Sequence, residues 1–209
     1  MQTNRFITFE GGEGAGKSTQ ARLLADTLRT AGHGVVVTRE PGGSLVAERI
    51  RALILAEKPA SPMAEFLLFA AARAEHLDQT IAPALREGRF VICDRFIDST
   101  RVYQGELGHV DAEFIKAIER ASVAPYVPAL TLVIDLPAET GMARAASRGD
   151  LNHYDGRDLA WHTALRAAFQ GVAAREPGRC VLIDGARDET SVATAIWQVV
   201  CARLDIGAL

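Results

Sequence analysis

Apolar residues in this chain follow two rhythms. Five short runs, Arg5–Glu10 (RFITFE), Gly34–Thr38 (GVVVT), Arg89–Asp94 (RFVICD), Leu130–Leu136 (LTLVIDL) and Cys180–Asp184 (CVLID), are rich in β-branched and aromatic residues and nearly unbroken in apolar character. Strands exposed on one face alternate polar with apolar residues, so unbroken runs predict strands covered on both faces. Between them apolar positions recur at helical spacing. Over Lys17–Ala31, Leu24, Leu28 and Ala31 share one side, and Gly32 follows as a C-terminal stop. Further helices are predicted near Leu45–Ala56, Pro62–Glu75, Leu77–Glu87, Ala112–Ala121, Ala138–Ser147, Asp158–Ala174 and Thr190–Leu204. Strand-then-helix alternation predicts an α/β fold with a parallel sheet and right-handed crossovers. No repeat, low-complexity tract or Pro/Gly/Ser-rich linker divides the sequence, so one domain over residues 1–209 is expected.

Composition narrows the function classes. With 209 residues, 48% hydrophobic and 23% charged, the chain suits a globular protein with a full core. A net charge of −3 argues against a general nucleic-acid partner, whose phosphates call for a basic excess. No apolar run approaches the roughly 18 residues that a membrane span needs, so no membrane partner is expected. The first residues lead into a strand without the apolar stretch of a signal peptide. Cys93, Cys180 and Cys201 form no CxxC pair and read as reduced thiols, which points to the cytoplasm.

Chemistry enters with "FEGGEGAGKST", Phe9–Thr19. Gly11, Gly16, Lys17 and Ser18 fit the phosphate-binding P-loop pattern, between a predicted strand and a predicted helix. In such a loop Gly11, Gly12, Glu13, Gly14, Ala15, Gly16, Lys17, Ser18 and Thr19 wrap a nucleotide phosphate chain. Their backbone N–H groups and the helix N-terminus supply positive potential. Lys17 would reach the outer phosphates, and the Ser18 hydroxyl would bind Mg²⁺. One of only three lysines, against 20 arginines, holds that position. Neither the N-K-x-D of GTPases nor the L-S-G-G-Q of ABC-type ATPases is present. A small-molecule kinase or a regulatory nucleotide-binding module remains.

Three further stretches discriminate. "TREPGG", Thr38–Gly43, follows the second strand, where ligands of open α/β sheets bind. In "FLLFAAARAEH", Phe69 and Arg73 lie four residues apart on one helix face. A ring and a guanidinium so placed can stack on a base and bind its phosphate; a core Phe beside a solvated Arg would give the same pattern. In "VICDRFIDSTRVYQG", Asp94 ends a strand, as does a metal-binding carboxylate opposite a P-loop, and Arg95 follows it. Ser99 with Tyr103 and Thr100 with Gln104 are i,i+4 pairs that offer hydroxyl and amide groups to one planar ligand. Asp135 is a rival carboxylate at another strand end, ranked second because no polar cluster follows it.

Together "FEGGEGAGKST", "TREPGG", "LLFAAARAEH" and "DRFxDSTRVYQG" resemble the bacterial thymidylate kinases, in that family's order and over essentially the whole chain. The resemblance implies a five-stranded, three-layer P-loop kinase fold with a lid at about 147–158, a homodimer, and Mg²⁺. It implies transfer of the γ-phosphoryl group of ATP to thymidine monophosphate. By position, Phe69 stacks on thymine, Arg73 contacts the base or the sugar-phosphate end, Arg95 holds the acceptor phosphate, and Thr100 and Gln104 address the base. Tyr103, beside Ser99, crowds the sugar 2′ position, while Arg39 and Glu40 sit between the substrates. Glu13 is directed to the acceptor 3′-hydroxyl or to Mg²⁺ and its waters, joining Ser18 and Asp94 as a metal-side residue.

Glycine at position 14 resembles the subclass that takes its catalytic arginine from the lid. In "SRGDLNHYDGRD", Arg148 matches that arginine and His153 stands where a second is expected, with Arg144 or Arg157 as substitutes. Arg144 and Arg148 are therefore expected on the ATP. A kinase of another nucleoside monophosphate or of a nucleoside is the alternative enzyme; a non-catalytic nucleotide-binding module is the alternative of another class.

Overall fold

The computed structural model describes residues 3–56, 61–147 and 153–206. In chain order the elements are β1 (Phe6–Glu10), α1 (Lys17–Thr30), β2 (Val35–Arg39), α2 (Leu45–Ala56), α3 (Pro62–His76), α4 (Ala82–Arg86), β3 (Phe90–Asp94), α5 (Ile97–Thr100), α6 (Ala112–Ser122), β4 (Leu130–Asp135), α7 (Ala138–Ala146), α8 (Leu159–Arg175), β5 (Cys180–Asp184) and α9 (Glu189–Leu204). π-Helical segments at Leu77–Ile81 and Arg101–Glu106 join α3 to α4 and prolong α5. The strands pair in parallel in the order β2-β3-β1-β4-β5, and each predicted strand is present with ends shifted by at most one residue.

Side chains alternate across the sheet and so build two cores. Ile7 and Phe9 of β1 join Leu24, Leu28, Val192 and Ile196 of α1 and α9 on one face. Phe6 packs with Leu77, Ile81, Leu85 and Phe96 on the other, and Val133 of β4 meets Leu165, Phe169 and Val172 of α8 there. Helices on both faces of one sheet give the expected α/β/α layering.

β1, β3 and β4 are buried almost throughout, as the unbroken apolar runs predict. The two edges depart from that expectation. β2 and β5, each with a strand neighbour on one side alone, are only partly buried, leaving Val37 and Leu182 exposed.

Two helical stretches also differ from the pattern. The span read as Leu77–Glu87 begins with a π turn, in which the Ala82 N–H donates to the Leu77 carbonyl. Pro83 has no N–H to offer the carbonyl four residues back, and a widened turn lets the helix pass it. No helix was predicted over 97–106. Its start is fixed by Glu10, fully buried at the end of β1. The Glu10 carboxylate accepts from the N–H of Phe96 (2.8 Å) and of Ser99 (3.3 Å) and from the Ser99 hydroxyl (2.6 Å). This cap arrives from 86 residues upstream of Phe96, beyond the reach of any local pattern. Because β1 is the central strand, the loop that follows it opens where the strand order reverses, the usual ligand position in such sheets. Among the described residues no helix is long and apolar enough to cross a membrane.

Candidate active site

The chain passes from β1 to α1 through the glycine loop. Gly14 has φ of 68°, and a Cβ placed there would sit 2.1 Å from the carbonyl oxygen of Gly141 on α7. Backbone conformation and the close approach of α7 together leave no room for a side chain at position 14, an arginine included. Lys17, 7% exposed, folds back along the loop and donates to the carbonyls of Gly11 (3.1 Å) and Gly12 (2.7 Å). Burial and the Arg95 charge push its pKa down to about 8, against the pull of Glu13, Asp94 and Glu10. The next residue, Ser18, donates its hydroxyl to the Asp94 carboxylate at the end of β3.

Glu13, the acid inside an anion cradle, has a partner for its charge. Its Oε1 accepts from Arg95 (2.8 Å) and from the Tyr103 hydroxyl (2.6 Å). Burial works to raise its pKa, but the Arg95 and Lys17 charges and the Tyr103 hydrogen bond outweigh burial and hold it at about 2. Arg95 itself adopts a left-handed backbone (φ 69°), with its N–H on the Phe9 carbonyl at 2.9 Å. That turn sends the guanidinium back over the loop, to the Gly11 carbonyl and Ser99 Oγ (both 3.2 Å) and to within 5.0 Å of the Tyr103 ring centre. Burial opposes its charge, yet Glu13 leads a set of neighbours that raise its pKa above the ordinary value. Burial and the charge of Asp98 push the Glu10 carboxyl up to about 7, even with its three donors in place.

The facing wall comes from α3, the loop after β2, and the α5 segment. Arg73 is 3% exposed, and its guanidinium donates to Glu40 (2.7 Å), the Phe96 carbonyl (3.0 Å) and Thr100 Oγ1 (2.9 Å). Glu40 also contacts His76 Nδ1 at 3.1 Å, and His76 Nε2 lies 2.7 Å from Thr38 Oγ1. A buried Arg73–Glu40–His76 clamp thus ties "TREPGG" to α3. Arg39, by contrast, is half exposed and pairs with Glu48 at 3.1 Å.

One cavity of about 470 Å³ collects most of the predicted residues. Glu13 to Thr19 of the loop, Arg39, Phe69, Arg73, Asp94, Arg95, Ser99, Thr100, Tyr103 and Gln104 all line it. Gly11 and Gly12 do not; they form the back of the loop, where their carbonyls receive Lys17. Arg144 falls elsewhere, lining an adjoining hollow with Gly14, Ala15, Gly16, Thr19, Gly185 and Arg187. Arg148 lies outside the described residues, as do positions 149 to 152 of the 147–158 lid. Arg157 stacks over Trp161 at 5.6 Å and is not among the cavity-lining residues. Asp135 takes both oxygens to Arg166 (2.7 Å each), a pair that lowers its pKa, so Asp94 is the carboxylate that faces the loop. The sequence reading missed Arg51 and Leu55 of α2, which line the cavity one helical turn apart, with Arg51 donating to the Pro41 carbonyl at 2.8 Å. Their i,i+4 spacing after "TREPGG" was the only available signal. Tyr154 and Asp155 were missed as well.

The family model for thymidylate kinase matches residues 9–196. The chain belongs to the thymidylate kinase family. It is 51% identical to the thymidylate kinase of Caulobacter vibrioides over 99% of this chain and 100% of that protein. It is 50% identical to the thymidylate kinase of Bradyrhizobium diazoefficiens over 96% and 90%, respectively. Among solved structures, the thymidylate kinase of Ehrlichia chaffeensis superposes with a TM-score of 0.77 at 34% identity, covering 93% of this chain and 97% of that one. In this member of the thymidylate kinase family, the close approach of Gly141 leaves no room for an arginine at position 14 of the loop.

Proposed function

We propose that the cavity between the glycine loop and the Phe69–Arg73 wall is where the γ-phosphoryl group of ATP passes to thymidine 5′-monophosphate, giving thymidine diphosphate and ADP. The observation that carries the assignment is that donor-side residues (Lys17, Ser18, Asp94) and acceptor-side residues (Phe69, Arg95, Gln104) line one continuous space. ATP would place its phosphates in the Gly11–Thr19 loop and its base toward the hollow beside Arg144. Thymine would lie on Phe69, with Arg73, Thr100 and Gln104 at its edges. Arg95, Arg39 and Ser99 would serve the acceptor phosphate end.

The acceptor phosphate oxygen is already an anion, so the protein need not abstract a proton; alignment and charge neutralisation remain. Lys17 and Arg95, which both donate to the Gly11 carbonyl, concentrate positive charge beside the place where the transferring group would lie. Glu13, held ionised by Arg95, is not a proton donor near neutrality. Of its two implied roles, the contacts with Arg95 and Tyr103 favour the acceptor side, where it can accept from a sugar hydroxyl. Burial raises the Tyr103 pKa well above its ordinary value, so the phenol keeps its proton and stays a donor to Glu13.

Magnesium fits the donor set. The Ser18 hydroxyl and the Asp94 carboxylate meet at the cavity wall, an oxygen-only pair. No group of three or more His, Cys, Asp or Glu suited to a metal occurs among the described residues. Mg²⁺ typically takes one or two protein oxygens beside substrate phosphates. Bound there, it would neutralise charge on the transferring phosphate oxygens.

The same reading takes residues 1–209 as one domain with a lid at 147–158, in which Arg148 is the proposed lid arginine. A homodimer is proposed through α2, α3 and α6. Leu53, Met63, Leu67 and Phe114 remain exposed on those helices, apolar surface that a partner could cover. The cytoplasm is the proposed compartment, in keeping with three free cysteines.

A coupled ADP-release assay with ATP, Mg²⁺ and a panel of monophosphates tests the reaction. Thymidylate should be the preferred acceptor, and chelation of divalent ions should abolish turnover. A deoxypurine monophosphate outpacing thymidylate would overturn the base assignment. Rapid ADP release without any acceptor would point instead to a nucleotide-hydrolysing module.

A further inference from the structure

We infer that Glu65 determines which bases the cleft accepts, by fixing the orientation of the Gln104 amide; this rests on the thymidylate reading above. Gln104 is 2% exposed and lines the cavity. Its Nε2 donates to Glu65 Oε1 on α3 at 2.7 Å. A carboxylate offers acceptors only, so the amide must turn its nitrogen, not its oxygen, toward Glu65. A flipped amide would set two oxygens against each other in a buried place, and burial makes unpaired polar atoms expensive. The same Glu65 oxygen also accepts from the Tyr154 hydroxyl at 2.6 Å, a second donor that holds the carboxylate in place.

With Nε2 committed to Glu65, the amide's carbonyl oxygen is the atom presented away from that carboxylate, to a ligand in the cavity. A carbonyl there rewards a base edge that carries a ring N–H. Thymine and uracil have one at N3, whereas cytosine has a lone pair at that atom. Glu65 is not among the described residues lining the cavity, so it acts through Gln104 and is a positioning residue. Its effect falls on the choice between acceptor bases, and the ATP side should not register it.

The test compares kcat/KM for thymidylate, deoxyuridylate and deoxycytidylate in the wild type and in Glu65→Gln, a variant of nearly unchanged shape whose own amide can face Gln104 either way. The wild type should prefer thymidylate to deoxycytidylate by roughly 10³-fold or more, the scale set when polar groups in a site are left unpaired. In Glu65→Gln that ratio should fall at least tenfold, through the KM of the monophosphates, while the KM for ATP holds. Glu65→Ala, which removes the orienting group altogether, should lower the ratio in the same direction and serves if Glu65→Gln does not fold. An undiminished ratio in the folded variants, or an equal loss for all three acceptors, would overturn the inference and leave Glu65 a packing residue. A wild type that shows no preference for thymidylate would instead sink the function proposed above, so the two failures are distinguishable.

Discussion

Lys17→Ala is expected to lower kcat/KM for ATP by about 10³-fold or more, on the order of 4 kcal/mol of transition-state stabilisation. The side chain brings the one lysine charge in the loop, and among the described residues its hydrogen bonds run to the Gly11 and Gly12 carbonyls. Removing it should therefore leave the fold intact, with the thermal midpoint near that of the wild type. The same residue gives the reaction an alkaline limit. Its pKa lies below the ordinary lysine value, at about 8. The charged form is then complete well below pH 8 and is lost as pH rises through that value. In the free enzyme kcat/KM for ATP should decline above about pH 8 with a one-proton slope. Bound phosphates favour the charged form, so kcat should hold to higher pH. Steady-state kinetics of both forms across pH 6–10 check the pair of expectations; a folded Lys17→Ala protein with near-normal turnover would contradict the loop assignment.

Arg95→Ala is the second large effect, and it should exceed the loss of one phosphate contact. Glu13 is about nine-tenths enclosed beside Arg95, and removing one member of a buried ion pair typically costs about 3–5 kcal/mol because the other charge is stranded. The stranded carboxylate would also repel the phosphates it faces. We expect kcat/KM for thymidylate to fall by about 10³-fold and the thermal midpoint to drop. Adding Glu13→Gln to Arg95→Ala should recover part of both, since it removes the unpaired charge. Arg95→Lys should recover charge but not the forked contact to Gly11, Ser99 and Glu13, and so only part of the activity. If the double variant were no better than Arg95→Ala, the Glu13–Arg95 pairing would not be what permits an acid in the loop.

The central features of the site were legible because they are local. A strand, a glycine turn and a helix follow one another between Phe6 and Thr30, and Asp94 and Arg95 lie at the end of the strand that positions them. What the sequence hid depends on partners far along the chain. Glu10 read as the last residue of a strand, yet it organises α5 from a fully buried position. Gly14 read as a subclass marker, whereas its neighbour Gly141 is what forbids a side chain there. The Arg73 guanidinium looked free to meet a substrate, but three protein acceptors already hold it, which makes it a rigid wall as much as a ligand. The partial exposure of the edge strands escaped because their apolar runs resemble those of the inner strands, and only sheet order separates them. Arg51 carried no signal beyond its i,i+4 spacing to Leu55.

The central claim is that two nucleotides meet in one cavity, donor phosphates on the glycine loop and acceptor on the Phe69–Arg95 side. The most direct measurement is inhibition by a single molecule carrying adenosine and thymidine joined through a five-phosphate chain. It should compete with ATP and with thymidylate alike and bind more tightly than either. Competition with only one of the two substrates would mean that their sites do not face each other, contrary to the single cavity that Lys17 and Phe69 both line.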